Sequence, residues 1–568
     1  MKAFIILSLC LTCQISSAQT LLAIPDTLSG TSINLTMHAD SVSFFPGNWT
    51  HTYAYNQYAY LGPTLIFQKG QTMDIHVQNN INDTTTVHWH GIHLPSKWDG
   101  GPHTEILAGN SWDPHFTVMD HAATYWYHPH KHMKTALQAI KGAAGLIIVR
   151  DPEEAALSLP RIYGVDDFPI IVQSQQYNNL NQAMPLGMED STILVNGAMA
   201  NNGHEVRAEF PAQMVRMRLL NASGERVFNF GFTGSLTFHQ IASDGGLLNT
   251  VFDTSRIRLA PGERAEIVLD LTGKEGQTLY LMSYASELPM GVQGGPTMPM
   301  PPGSPPMDSP LNGINFNVLK IEVQNQTISP ILSIPSVLSN DQALNPSSSQ
   351  VTREIRFTAD SLMVMDGPFY FNDSSFHMDR IDFIIPVNQT ETWKLVNETM
   401  VGHPFHLHDV QFYLFDRNGM SPSAQEKGRK DVAYLATGDS LMFVTKFEDF
   451  TDTLIPYMYH CHILMHEDAG MMGQFLVVPA NYVGLHPEIK LAQELRLFPN
   501  PTESSFQLAL PSDVEVFDLR ITKISGEVVY AADHQTSVNV DPHGLTSGMY
   551  LVIVRANGHF YQSKLWIK

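Results

Sequence analysis

Apolar and polar positions alternate in short runs along most of this chain. In YLGPTLIFQKGQTMDIHVQNNI (60–81) the alternation breaks at Gly62-Pro63 and at Lys69-Gly70, then resumes. Strands separated by turns read this way, because side chains on a strand point to opposite faces in turn. DFPIIVQSQQY (167–177), STILVNG (191–197), MVRMRLLNAS (214–223), RAEIVLDLTG (264–273) and FNVLKIEV (316–323) continue the style. Helical periodicity is scarce, so the pattern predicts an all-β chain of sandwiches or barrels. The breaks divide it into blocks at 19–152, 153–325 and 351–480. Asp151-Pro152 and the acidic, Ala-rich residues after it form a linker or short helix. Between the second and third blocks lies a Ser/Pro/Asn-rich linker, 326–350. A connector, 481–495, leads to a small β tail, 496–568. Inside the second block, 289–307 is a Pro/Gly-rich loop carrying Met290, Met298, Met300 and Met307. Its composition predicts a surface insertion, with soft-metal capture as the alternative.

Strand parity also organises the chemistry. Four clusters each contain an H-x-H: His88-Trp89-His90, His128-Pro129-His130, His406-Leu407-His408 within HPFHLH, and His460-Cys461-His462. On a strand, residues i and i+2 share a face, so each pair can offer two imidazoles to one metal cluster. Cys461 then faces away from its flanking histidines. His403 has the opposite parity to His406 and His408, and it precedes a proline, which favours extended backbone. One site therefore gathers His403, Cys461 and His466, with Met471 as a weak axial ligand; this soft set suits blue copper. The other gathers eight imidazoles, at 88, 90, 128, 130, 406, 408, 460 and 462. Structural zinc closes with four ligands and catalytic zinc with three plus water. Neither accounts for eight histidines, or for a thiolate bonded between two of them.

Composition narrows the setting. With 568 residues, 43% apolar content and a formal charge of −22, the chain reads as a multidomain globular protein poorly suited to nucleic acid or an anionic membrane. Residues 1–18 carry one positive charge, an apolar run and small residues before Gln19, which predicts a signal peptide cleaved after Ala18. Cys10 and Cys13 lie within it, so Cys461 would be the one cysteine of the exported chain. An exported free thiol is open to oxidation, and metal coordination is a reason to keep one. No later stretch is long and apolar enough to span a membrane.

HWHG, WYHPH, HPFHLH and HCHxxxHxxxxM together resemble the four copper-binding motifs of the multicopper oxidases, the laccase-like enzymes. The longer strings HWHGIHLPSKWDGG and CHILMHEDAGMM are similar to the bacterial branch that includes the periplasmic cuprous oxidase, the spore-coat laccase and bilirubin oxidase. The resemblance spans about residues 20–480. It implies three cupredoxin-like Greek-key sandwiches, the first and third carrying ligands, and four coppers per chain. His88 and His406 would bind the type 2 copper. His90, His128, His130, His408, His460 and His462 would bind the type 3 pair, and His403, Cys461, His466 and Met471 the type 1 copper. Four one-electron oxidations at type 1 copper would feed, through Cys461, His460 and His462, the reduction of O2 to water. Asp99 and Glu467 match the family's proton-relay acids; a turn residue and a residue orienting a ligand are the plainer readings of the two. Methionine at 471, where high-potential fungal laccases have Leu or Phe, implies a lower potential.

The substrate is less sharply marked. The cuprous-oxidase branch has Asp and Met where this chain has Thr399 and Val401, while Glu398 and Met400 are out of register. Phenolic or bilirubin-like donors are therefore expected, with Cu(I) oxidation in copper tolerance as the alternative. An electron carrier or copper store without turnover is the alternative of another class. His93, His103, His115, His121 and His132 are expected to be surface residues or to sit behind the ligands. FPNP (498–501), GMYLVIVR (548–555) and the basic C-terminal end resemble the sorting domain of the Bacteroidetes type IX secretion system. That implies the secretion machinery as a partner, and an extracellular or cell-surface location, with the periplasm as the alternative.

Overall fold

The computed structural model describes residues 18–185, 189–297, 309–361, 364, 367–482, 493–503, 505–510, 514, 517–523, 528–541, 544–556 and 559–568. The signal-peptide stretch with Cys10 and Cys13, the loop methionines Met298, Met300 and Met307, and most of the 481–495 connector lie outside these residues. Among the described residues the regular secondary structure is nearly all strand, in several sheets. Two compact units form, one from residues within Met1–Ser375, Thr390–Lys446 and Met458–Met472, the other from Phe376–Gln389, Phe447–Tyr457 and Gly473–Lys568.

In the first unit, one sheet orders Thr27–Ser29, Thr64–Gln68, Gly145–Arg150, Ala123–His128 and His88–His90. It packs against the sheet of Ser32–Val42 and Thr72–Asn79 around Leu35, Val77, Trp89, Tyr127 and Ile147. A second core, with Ile170, Val195, Phe210, Met217, Phe230, Ile267 and Leu281, belongs to the histidine-poor middle block. Alternation explains both: Thr72–Asn79 reads exposed, buried, exposed, buried along most of its length. Asp151 caps a four-residue helix, Pro152–Ala155, by accepting from Glu154 N at 2.7 Å, so the acidic stretch after the first block is helical. A buried ion network ties the first two blocks together. Arg218 Nε donates to Asp167 at 2.8 Å, Arg218 and Arg216 both pair with Glu266, and Thr124 donates to Glu266 at 2.7 Å.

Six strands bear directly on the chemistry: β1 (His88–His90), β2 (Ala123–His128), β3 (Arg264–Asp270), β4 (His403–Leu407), β5 (Val432–Leu435) and β6 (Tyr457–Cys461). β1 pairs antiparallel with β2, setting His90 opposite Trp126 and His88 opposite His128. β4 pairs with β6, setting His406 opposite His460 and Phe405 opposite Cys461, and with β5, setting His406 opposite Val432. After β6 the chain turns into a short helix, α1 (Leu464–Asp468).

The second unit contains the C-terminal β domain. One sheet there includes Phe517–Lys523, Gly548–Ala556 and His559–Ile567, and a smaller one pairs Arg496–Phe498 with Phe506–Ala509. Leu508, Phe517, Leu519, Ile521, Val552, Val554 and Leu565 form its core. No helix among the described residues is long and apolar enough to cross a membrane.

Candidate metal centre

Directly opposed residues on paired strands project to the same side. His88, His90 and His128 therefore share one face of β1 and β2, and His406 and His460 share one face of β4 and β6. Trp89, of opposite parity, is fully buried in the first core and stacks near Trp112. The indole holds the tripeptide by its back while the imidazoles face forward. The eight predicted imidazoles come together: His88 stacks on His408 with ring centroids 3.9 Å apart, and His90 on His406 at 3.8 Å. His130 Nε2 lies 3.1 Å from His460 Nε2, and His462 packs 5.0 Å from His90. All eight are at most 1% exposed. Ligand-type atoms converge in the sets His88/His90/His128, His88/His406/His408 and His130/His408/His460.

The outward nitrogens show which atoms face inward. Nδ1 of His88, His128, His406 and His460 lies 2.8–3.0 Å from a backbone carbonyl, of Asp99, Pro129, Asp431 and Cys461 respectively. A carbonyl only accepts, so each Nδ1 carries the proton and each Nε2 a lone pair. His408 Nδ1 meets Asp99 Oδ2 at 2.8 Å. His90 is turned round: its Nε2 meets Asp431 Oδ1 at 3.1 Å while its Nδ1 faces His128 Nε2 at 3.3 Å. Burial first, then neighbouring imidazoles, push His90, His128, His130, His406 and His460 well below the usual imidazole range, with His408 lowered to about 4 by burial and His88, and His462 to about 3 mainly by burial.

On the other face, Cys461 Sγ lies 3.5 Å from His403 Nδ1 and 3.6 Å from His466 Nδ1, and the two nitrogens are 3.2 Å apart. His403 Nε2 contacts Thr399 Oγ1 at 2.9 Å. Met471 is fully buried, and its carbonyl accepts from Cys461 N at 3.1 Å, which brings the end of the α1 turn back onto the cysteine. Burial pushes the Cys461 thiol up, a penalty that a bound cation reverses by taking the thiolate directly.

These donors fit copper. His88 Nε2, His406 Nε2, His408 Nε2 and both nitrogens of His462 are buried without a hydrogen-bond partner. Buried polar atoms are ordinarily paired, so nitrogens converging here without partners, with the Nε2 lone pairs of His88 and His406 among them, fit a cation position. Soft thiolate with two imidazoles on one side, and imidazoles alone on the other, match copper's ligand preferences.

The two predicted acids sit behind the cluster, one on each side. Asp99 lies 2.8 Å from His408 Nδ1 and 3.5 Å from His88 Nδ1. Burial alone would raise its carboxyl, but these imidazoles hold it below the usual range. Glu467 lies 3.4 Å from His130 Nδ1 and 3.3 Å from His460 Nδ1, and burial followed by Asp468 raises its carboxyl well above the usual range. The other histidines stay out of the cluster. His93 pairs with Asp409 at 2.8 Å, His115 with Asp74 at 2.6 Å, and His121 contacts Lys69; His103 and His132 are half-buried. Sequence reading missed Asp431 and Arg264. Arg264 opens an ordinary strand and Asp431 follows Arg429 and Lys430 in a short charged run, and no spacing pattern marks either.

A fold of β-sandwich cores with a thiolate–imidazole site joined to a histidine cluster defines a copper redox protein. The chain belongs to the multicopper oxidase family: profiles described as multicopper oxidase match residues 37–154, 169–296 and 345–481, and one described as a secretion system C-terminal sorting domain matches 496–568. It is 32% identical over 455 residues to "Multicopper oxidase mco" of Staphylococcus aureus, covering 78% of this chain and 88% of that protein. It is 28% identical over 426 residues to "Cell division protein FtsP" of Proteus mirabilis, covering 74% and 84%. Among solved structures, a laccase-like multi-copper oxidase CueO from Ochrobactrum sp. superposes with a TM-score of 0.70 at 29% identity, covering 80% of this chain and all of that one. The chain is thus an oxidoreductase of the family that uses O2.

Proposed function

We propose that this protein is an exported oxidase that takes electrons one at a time from phenolic or other aromatic donors and delivers them to O2. The observation that carries the reading is the tripeptide His460-Cys461-His462, whose middle residue belongs to the thiolate site and whose outer residues belong to the histidine cluster. Bound at these residues, copper would supply one-electron oxidation at the thiolate site and four-electron reduction of O2 to water at the cluster. His403, Cys461, His466 and Met471 are the proposed ligands of the first copper; the eight imidazoles are those of the other three.

The protein's own groups account for the rest. Of the four ligands of the first copper, His466 alone keeps some exposure, 6%, so the donor docks at its edge. Thr399 Oγ1 accepts from His403 Nε2 and offers no carboxylate there, which supports an organic donor over Cu(I). The covalent path from Cys461 through either neighbouring peptide reaches a cluster histidine without crossing a gap. Four protons are consumed per O2. Glu467, kept protonated by burial, holds one at His130 and His460, and ionised Asp99 keeps the Nδ1 proton on His408 and His88. The Ochrobactrum relative is described as having oxidase activity towards lignin model compounds and lignosulfonate, which supports an aromatic donor. The FtsP likeness raises a non-oxidase role; the converging set of buried, unpartnered imidazole nitrogens favours the oxidase. The sorting domain supports delivery outside the cell by type IX secretion.

The test is copper reconstitution followed by oxygen uptake. Four coppers per chain, an intense blue colour and steady O2 consumption with a methoxyphenol, faster than with Cu(I), are expected. Fully loaded protein that consumes no O2 with any donor overturns the reading, and a preference for Cu(I) overturns the choice of substrate.

A further inference from the structure

The middle block contributes no proposed ligand, yet within three residues it meets the histidine cluster directly, at Gly262, and through Asp431, at Arg264. Gly262 has φ +84°, and a Cβ placed on it would lie 2.8 Å from the His462 ring, so the backbone there lies directly against that imidazole. Arg264, two residues on, opens β3 and is fully buried. Every one of its five side-chain N–H groups is used. Nε donates to Thr124 O at 3.0 Å, Nη1 to Gly262 O at 3.1 Å, and Nη2 to Asp244 O at 2.9 Å. The remaining two form a fork on Asp431, Nη1 to Oδ1 at 2.5 Å and Nη2 to Oδ2 at 2.6 Å. A planar fork bonded at all five positions has no freedom left, and it fixes the carboxylate plane of its partner.

Asp431 in turn touches the cluster twice. Its Oδ1 lies 3.1 Å from His90 Nε2, and its backbone carbonyl accepts from His406 Nδ1 at 2.8 Å. His90 and His406 are the stacked pair with centroids 3.8 Å apart. A carboxylate facing His90 Nε2 keeps the proton on that nitrogen, leaving Nδ1 as the lone pair turned towards His128. The chain around this contact is shaped to admit it. Gly91 follows His90 with φ +86°, and a Cβ there would lie 2.5 Å from Asp431 Oδ2 and 2.8 Å from Arg264 Nη2.

We propose that Asp431, clamped by Arg264, is a positioning residue that sets the orientation and tautomer of His90 and steadies His406. Through it, the middle block governs how firmly the cluster holds copper. This rests on the copper-oxidase reading, and the experiment separates the two. If the unsubstituted chain takes up copper at the thiolate site alone, the oxidase reading fails and this inference with it; an intact cluster that ignores the substitutions below sinks only the inference.

The test compares the full-length copper-loaded chain with Asp431→Asn/Arg264→Gln and with Arg264→Lys. The double substitution leaves no unpaired buried charge, so loss of the ion pair as such is not what it measures. Arg264→Lys keeps the charge but removes the fork, and it serves as the reporter should the double variant not fold. Each is dialysed against a copper chelator; copper content, the blue band, the near-ultraviolet absorption of the coupled copper pair and the type 2 paramagnetic resonance signal are then recorded. The expected result is an unchanged blue band with cluster copper held about 10–100-fold more weakly in the double variant, and a smaller loss in Arg264→Lys. The cluster spectra should change before any copper is lost. Cluster copper and spectra unchanged in both variants would overturn the proposal. So would a parallel loss of the blue band, the cluster and the melting temperature, which is what a purely structural pair would give.

Discussion

Cys461 is one residue with two duties, and strand parity is what lets it perform them. Its Sγ faces His403 and His466, while the residues on either side face His130 and His90. Cys461→Ser keeps the shape but replaces a soft thiolate with a hydroxyl that ionises far less readily. Loss of the blue colour and of oxidase turnover, with the histidine cluster still able to bind copper, is expected from absorption spectra and copper counting. Retained turnover would refute the electron path. A second residue-scale prediction concerns Asp120, which is buried with Oδ1 accepting from His93 N at 3.0 Å and Oδ2 unpartnered. Burial raises its carboxyl to about 6 from an ordinary value of 3.8. The folded form therefore binds the proton more tightly than the unfolded one, so this group's contribution is fully present below pH ~4 and is lost as pH rises through ~6. Asp120→Asn, which cannot ionise, should gain about 3 kcal/mol relative to the parent over that window. Melting curves at the two ends of the window measure the difference, and an unchanged gap would contradict it.

At the scale of elements, β1, β2, β4 and β6 supply most of the chemistry, and loops supply its support. Gly262 belongs to such a loop. Gly262→Ala would force a side chain into the left-handed region and against His462, so weaker cluster copper with an intact blue band is expected from chelator titration. Equal copper retention would show that the loop does not steady the cluster. The strands and the faces of their histidines were legible because parity is a local property: His88/His90, His406/His408 and Cys461 declare their sides without knowledge of the fold. The placement of His403 opposite its HPFHLH partners followed from the same rule. Asp431 was not legible, because its contact with His90 joins residues 341 positions apart and depends on a register no periodicity encodes. Nor was Arg264, which sits in RAEIVLDLTG looking like the charged start of an ordinary strand. The short helix α1 was hidden too, since LMHED is too brief to show a period.

For the molecule as a whole, chemistry and address fall in separate stretches of the chain. All twelve proposed ligands lie in the first compact unit, and the residues that match the sorting-domain profile lie in the second. Removal of residues 496–568 should therefore leave copper content and oxygen uptake of the purified protein unchanged while abolishing delivery by the type IX system in a host that has it. Fractionation and activity assays together would show whether the two separate. The proposed function of the whole molecule, however, is to couple one-electron donors through Cys461 to complete reduction of O2. The most direct measurement is the stoichiometry of the copper-loaded, full-length chain turning over a phenol, with donor radicals, O2 and hydrogen peroxide followed at once. Four donor electrons per O2 with no peroxide released is the result predicted. Two electrons per O2 with peroxide accumulating, or donor oxidation that persists unchanged in Cys461→Ser, would contradict it.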